Sequence, residues 1–182
     1  MSRGKLIVIS GPSGVGKGTI VRRLISMDSN ITVSISATTR DKRNGEIDGK
    51  DYIFMSKAEF LTNIKENKFA EYAEYAGNYY GTLVSTIENV LNDGKILILE
   101  IEVQGAKQVK NKFPNAKLIF IAPPSIKELK NRLINRNTDS EEAISKRLAQ
   151  VDREIEASKQ FNEIIVNDDL DVATQAVMNL IK

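Results

Sequence analysis

The chain has no cysteine and no histidine. The first absence excludes disulfides and thiolate metal sites. The second removes the commonest general base and the commonest zinc ligand. Chemistry here must run on Lys, Arg, Asp, Glu, hydroxyls and bound ions, which suits reactions governed by positioning and electrostatics, phosphoryl transfer among them. A large charge excess is also missing. The 26 basic and 24 acidic side chains leave a formal +2, too little to argue for nucleic acid as a partner. Long apolar runs are absent too: Leu6–Ile9 is far shorter than a signal-peptide core or a membrane span, and no later stretch comes close. No membrane partner is expected, and a cytoplasmic location is.

What is present is an ordinary globular composition, 41% hydrophobic and 27% charged over 182 residues, enough for one α/β domain with insertions. Lys5–Ser10 (KLIVIS), Ile96–Ile101 (ILILEI), Lys117–Ala122 (KLIFIA) and the shorter Glu163–Asn167 read as strands covered on both faces. Helical segments alternate with them. Ile20, Val21, Leu24 and Ile25 recur at helical spacing just after the first strand, and a closing helix runs from Leu170. Ser125 with Glu128, and Thr138 with Glu141, have the spacing of capping boxes. The alternation predicts a parallel sheet flanked by helices. Between Ile31 and Thr82 the rhythm breaks into a polar, turn-rich and then tyrosine-rich stretch, with a helix from Ser56 and a strand over Phe69–Ala76. This reads as an inserted α+β subdomain. Asn135–Ser140 is a second, smaller polar break.

The first strand runs into Gly11-Pro12-Ser13-Gly14-Val15-Gly16-Lys17-Gly18-Thr19. Strand, glycine-rich loop and helix in that order form the setting of a phosphate-binding P-loop. Its backbone N–H groups point at phosphate oxygens at the positive end of a helix, and Lys17 adds a mobile cation. The pattern departs from the P-loop signature at one place: Gly18 stands where a Ser or Thr hydroxyl would hold Mg²⁺. No direct protein ligand from that position is expected, and the ion would be held by phosphate oxygens and water. Thr19 stays free to donate to a phosphate oxygen. The departure disfavours a switch-type GTPase and favours a small kinase.

Arg40 and Arg43 lie three residues apart in SATTRDKR. Arginine suits bidentate phosphate binding, although such a run also fits a solvated loop. Tyr52, Tyr79 and Tyr80 tip the balance, because phenols complete a phosphate cage with neutral donors.

Taken in order, GPSGVGKGT, SISATTRDKRNGEIDGKDYIF, AEYAEYAGNYYGT, ILEIEVQGA, FIAPPS and VNDD resemble the guanylate kinase family from Lys5 to about Asp169. The resemblance implies a P-loop NTPase-type core (residues 1–33, 83–134 and 149–182), a GMP-binding insert (34–82) and a small lid (135–148). It implies ATP and GMP as ligands and Mg²⁺ as cofactor, with ATP phosphates on Gly11–Thr19. Arg40, Arg43, Tyr52 and Tyr80 would hold the GMP phosphate; Ser36, Glu71 and Thr82 would face the guanine, with Glu102 nearby. The chemistry of the base agrees. Guanine N1–H and its N2 amino group are adjacent donors that one carboxylate can accept, while O6 wants a hydroxyl. Adenine reverses both roles, and unpaired buried groups can supply discrimination of ~10⁴ or more.

Glu100 and Glu102, two apart at the carboxyl end of a strand, should project to one face. The family often has aspartates here. Glu100 would reach a magnesium-bound water and Glu102 the guanine or an arginine; for either, a salt bridge to a core arginine is the alternative. Arg132, Arg136 and Arg147 flank the expected lid, where the resemblance gives them a role on transferring phosphates; singly each reads as exposed helix charge. Asn137 stands where many members have glycine. Asn167 and Asp168 are expected to cap the last helix rather than to touch the ATP base. The expected reaction is ATP + GMP ⇌ ADP + GDP, with Lys17, Arg40 and the lid arginines as catalytic residues. The rival readings are an inactive guanylate-kinase-like module that binds proteins, and a kinase for another monophosphate.

Overall fold

The computed structural model describes residues 3–135 and 141–182. β1 (Lys5–Ser10) is apolar from Leu6 to Ile9, ends in the buried Ser10, and is covered on both sides. A glycine loop joins it to α1 (Lys17–Met27), and β2 (Ile31–Val33) follows. The chain then leaves this layer for β3 (Ala37–Thr38), β4 (Ile53–Phe54), α2 (Lys57–Lys65), β5 (Phe69–Tyr75) and β6 (Asn78–Leu83). It returns through α3 (Val84–Asn92), β7 (Ile96–Glu100), α4 (Val103–Lys112), β8 (Lys117–Ala122), α5 (Ile126–Asn135), α6 (Glu141–Ser158), β9 (Glu163–Val166) and α7 (Leu170–Ile181).

Five strands form a parallel sheet in the order β2-β7-β1-β8-β9. Alternation along each strand sends neighbouring side chains to opposite faces. Ile7, Ile9 and Ile98 therefore pack with Ile20, Leu24 and Val177 of α1 and α7. Leu6, Val8 and Leu99 pack with Ile87, Leu91 and Val109 of α3 and α4. Apolar residues on both faces produce the continuous runs seen in the sequence. Val172, one of the apolar positions of α7, is instead 68% exposed.

The second sheet has the order β4-β3-β6-β5 and mixes both pairings. Its own small core is Ala37, Phe60 and Phe69, with Tyr79 stacked on Phe60 at 5.4 Å between ring centroids. Tyr79 thus belongs to packing and not to a phosphate cage. Ser125 caps α5 by accepting from Glu128 N at 3.1 Å, as its spacing predicts, and Ser56 caps α2 in the same way, accepting from Glu59 N at 3.1 Å. Thr138, the other expected cap, lies outside the described residues. No described helix is long and apolar enough to cross a membrane.

Candidate active site

The loop after β1 is shaped by close backbone approach. A Cβ on Gly11 would lie 2.2 Å from the Ile121 carbonyl oxygen of β8. Gly16 caps α1 in the left-handed region at φ 101°, and a Cβ there would meet Asn167 Nδ2 at 2.6 Å. No side chain fits either position without moving backbone or Asn167. Asn167 is buried at the end of β9, and its Nδ2 donates to the Val15 carbonyl at 2.7 Å. It clamps the loop and does not cap α7. The cap is Asp169, whose Oδ1 accepts from Asp171 N at 2.8 Å and Val172 N at 2.9 Å. Lys17 Nζ donates to the carbonyls of Gly11 and Pro12, the latter at 2.9 Å. The ammonium therefore stays over the loop. Thr19 Oγ1 accepts from Arg22 at 3.1 Å and keeps its own proton.

Glu100 ends β7 beside this loop. Both its carboxylate oxygens lie 3.4 Å from where a Cβ on Gly18 would sit. The space of the missing loop hydroxyl is thus bordered by a carboxylate from the neighbouring strand. That oxygen-rich setting fits Mg²⁺ held largely by phosphates and water. Among the described residues no three acidic side chains converge on one point. Glu102 goes elsewhere. The strand stops at Glu100 and Glu102 caps α4, so strand alternation does not carry through to it. It lines a cleft of about 450 Å³ with Gln104 and, from α6, Gln150, Arg153 and Glu154. Burial holds the Glu154 carboxyl above the usual carboxylate range; repulsion from Glu102 adds to this, and attraction to Lys17 opposes it.

On the second sheet the polar residues converge. Thr38 and Thr39 tie the start of the arginine loop to β6: Thr38 Oγ1 donates to the Tyr79 carbonyl at 3.0 Å, and Thr39 Oγ1 accepts from Tyr79 N at 2.9 Å. Arg40 is held next to them. Its Nη2 donates to Glu46 Oε1 at 2.7 Å, and its guanidinium lies 5.4 Å from the centre of the Tyr52 ring and 5.8 Å from that of Phe54, in range for cation–π attraction. The Glu46 hydrogen bond raises the Arg40 pKa further, and Tyr80 nearby adds to it. Arg40 in turn lowers the Glu46 carboxyl, with help from the Arg43 N–H that donates to Glu46 Oε2 at 2.7 Å. Arg43 carries its exposed side chain past this hub, and Tyr52 meets Tyr80 edge-on at 6.2 Å.

Glu71 of β5 faces Thr82 of β6 across the hairpin. Both are buried, and Thr82 donates its hydroxyl to Glu71 Oε1 at 2.7 Å. Burial pushes the Glu71 carboxyl up, against the stabilising Thr82 contacts. A carboxylate kept out of water with one oxygen uncommitted is built to receive donors.

The structure thus joins Arg40, Tyr52 and Tyr80 in one cluster, with Arg43 beside it, and joins Glu71 to Thr82. Ser36 immediately precedes β3, its carbonyl accepting from Ile53 N at 2.9 Å. Arg136 lies outside the described residues, as do Asn137 and the side chains of Arg132 on α5 and Arg147 on α6. Sequence reasoning missed Glu46, Asn167 as a loop clamp, and the α6 residues Gln150, Arg153 and Glu154. Glu46 had one signal, an acid three residues after Arg43 in a turn. The α6 residues had none, because a polar helix face reads as solvated surface.

Comparison with known proteins agrees with this geometry. A sequence model of the family described as guanylate kinase matches residues 3–182. The guanylate kinase of Synechocystis sp. is 52% identical over 98% of this chain and 94% of that protein. The crystal structure of guanylate kinase from Anaplasma phagocytophilum matches with a TM-score of 0.74 at 31% identity, covering 99% of this chain and 85% of that one. The SH3-kinase fragment of tight junction protein 3 matches in fold alone, with a TM-score of 0.56 at 11% identity over all of this chain and 57% of that one. Loop, insert and overall course of the chain therefore agree with one another, and the protein belongs to the guanylate kinase family.

Proposed function

We propose that the protein catalyses ATP + GMP ⇌ ADP + GDP by direct in-line transfer of the γ-phosphoryl group, serving purine nucleotide metabolism and GMP recycling. The observation that carries this reading is the buried Glu71–Thr82 pair, on the same sheet as the Arg40–Tyr52–Tyr80 cluster. Glu71 accepts from guanine N1–H and N2, Ser36 serves O6, and Thr82, whose hydroxyl proton is committed to Glu71 Oε1, faces the base and fixes the carboxylate. Arg40, Arg43, Tyr52 and Tyr80 hold the GMP phosphate, and Glu102 stands near the base. Gly11, Pro12, Ser13, Gly14, Val15, Gly16, Lys17, Gly18 and Thr19 cradle the ATP phosphates.

The attacking GMP phosphate oxygen is already largely ionised near neutral pH, so the reaction needs no histidine or other general base. Lys17 follows the transferring group as charge spreads over its oxygens, with Arg40 on the acceptor side. In this reading residues 34–82 form the GMP-binding insert, and 135–148 a lid that brings Arg132, Arg136 and Arg147 to the phosphates and excludes water. Mg²⁺ bound with ATP would neutralise phosphate oxygens, and Glu100 beside Gly18 is the residue to hold one of its waters. A cytoplasmic setting belongs to the same proposal. A protein-binding module without activity is not favoured, because Lys17, Arg40 and Arg43 are all kept.

ADP release measured with GMP, AMP, CMP and UMP, each with ATP and Mg²⁺, tests the reading. GMP should be used at least ~10³-fold better than AMP. Absence of turnover with every monophosphate would refute the enzyme, and preference for AMP would refute the role of Glu71.

A further inference from the structure

β5 is an outer strand of its sheet, so one edge of its backbone has no strand neighbour. Such edge groups must find other partners or water. On α4, Gly105, Gln108 and Lys112 stand at i, i+3 and i+7 and share one helix face. All three meet β5 or the residues entering it. Lys112 Nζ donates to the carbonyls of Asn67, at 3.2 Å, and Phe69. Gln108 makes a two-way pair with a single residue: Tyr72 N donates to its Oε1 and its Nε2 donates to the Tyr72 carbonyl, both at 3.1 Å. This is the exchange one strand offers another, supplied here by a side chain. Gly105 sits under the neighbouring residue. A Cβ there would lie 3.0 Å from Glu71 Oε2, closer than side chains ordinarily pack.

We infer that this face of α4 sets the position of the Glu71 carboxylate, making Gln108 and Gly105 positioning residues for selection of the base. The inference rests on Glu71 being the guanine acceptor. Thr82 locates Oε1, and the close approach of Gly105 locates Oε2. The Gln108 pair holds the backbone of the adjacent residue, so β5 cannot rotate or slide without breaking it. A carboxylate that must meet two parallel N–H donors tolerates displacements of only about 0.5 Å. Holding the strand edge therefore acts on selectivity more than on folding, since both Gln108 bonds are exposed.

The test compares GMP with inosine 5′-monophosphate, which lacks the N2 amino group, at saturating ATP. Wild type, Q108L, Q108E and G105A are measured for kcat, KM and melting temperature. Q108L should lower the GMP-to-IMP preference at least fivefold, mainly through the KM for GMP, with the KM for ATP unchanged. Q108E keeps the acceptor for Tyr72 N and loses the donor, so it should fall between. G105A should raise the KM for GMP, because its Cβ meets Glu71 Oε2 at 3.0 Å and Ile101 Cδ1 at 3.3 Å and the carboxylate must shift. Q108L, whose lost bonds are exposed, should melt close to wild type. Less selectivity without less stability is a result that mere packing would not produce. An unchanged GMP-to-IMP ratio in both Q108L and G105A would overturn the inference, whatever the melting temperatures. Wild-type protein with no preference for GMP over IMP would instead overturn the role of Glu71, and the inference with it.

Discussion

In the five-stranded sheet every residue from Leu6 to Ser10 and from Ile96 to Leu99 is buried, and all but Ser10 are apolar. In the four-stranded sheet the buried set includes Thr38, Glu71 and Thr82. The difference follows from how each sheet is covered. A parallel sheet with helices on both faces leaves its chemistry only to the carboxyl ends of its strands, where the 11–19 loop, Glu100 and Asn167 stand. The smaller sheet carries polar groups within its strands, Glu71 and Tyr80 among them. In the proposed reading the first arrangement handles phosphates without regard to the base, and the second reads the base and holds the acceptor.

Substitutions can break or sharpen that division. Lys17→Ala should have the largest effect, lowering kcat about 10²–10³-fold for whichever monophosphate is used. Little change is expected in the KM for GMP; a loss confined to that KM would blur the two sheets' roles. Glu71→Gln should follow, lowering kcat/KM for GMP by about 10²-fold and removing the preference over IMP, with the KM for ATP unmoved in steady-state assays.

Glu71→Gln should also raise the melting temperature. An acid whose folded pKa is raised contributes stability below its unfolded pKa and loses it as pH rises through the folded value. Near neutral pH the buried charge is therefore a cost, which glutamine removes while still accepting from Thr82. The same shift gives a pH signature. As pH falls through the raised pKa, Glu71 takes up a proton and the KM for GMP rises; the difference between wild type and E71Q across a pH series isolates this from titration of the nucleotides.

Glu46→Gln should come third, raising the KM for GMP and for IMP roughly tenfold and equally, because it loosens Arg40 and the Arg43 loop without touching the base. An unequal effect would mean that the phosphate and base halves of the insert are not separable. Asn167→Ala should be smallest, raising the KM for ATP about two- to fivefold and leaving GMP alone, as the loop loses one clamp at Val15.

Much of this was legible in the chain and some was not. The Gly11–Thr19 loop, the helix start at Ser56 and the Ser125 cap were readable because their interactions span only a few residues. The insert was visible as a break in the βα rhythm. Asn167 was misassigned because Asn167-Asp168-Asp169 offers three consecutive capping candidates, and only the end of β9 at Val166 decides which one meets α7. The shared face expected of Glu100 and Glu102 does not hold, because the strand ends at Glu100 and its alternation does not reach Glu102. Tyr79 and Tyr80 are adjacent and so face opposite ways, one into the Phe60–Phe69 core and one towards Arg40 and Tyr52.

By itself the sequence determined the parallel core, the phosphate loop and the exclusion of thiol and imidazole chemistry, since composition and short-range spacing suffice for each. The tertiary structure alone decided that Glu100 borders Gly18, that Gly105 packs under Glu71, and that Gln108 and Lys112 of α4 hold the edge carrying Glu71. These pairings join residues up to about eighty positions apart. Their partners are chosen by strand register and helix packing, and neither leaves a local pattern in the chain.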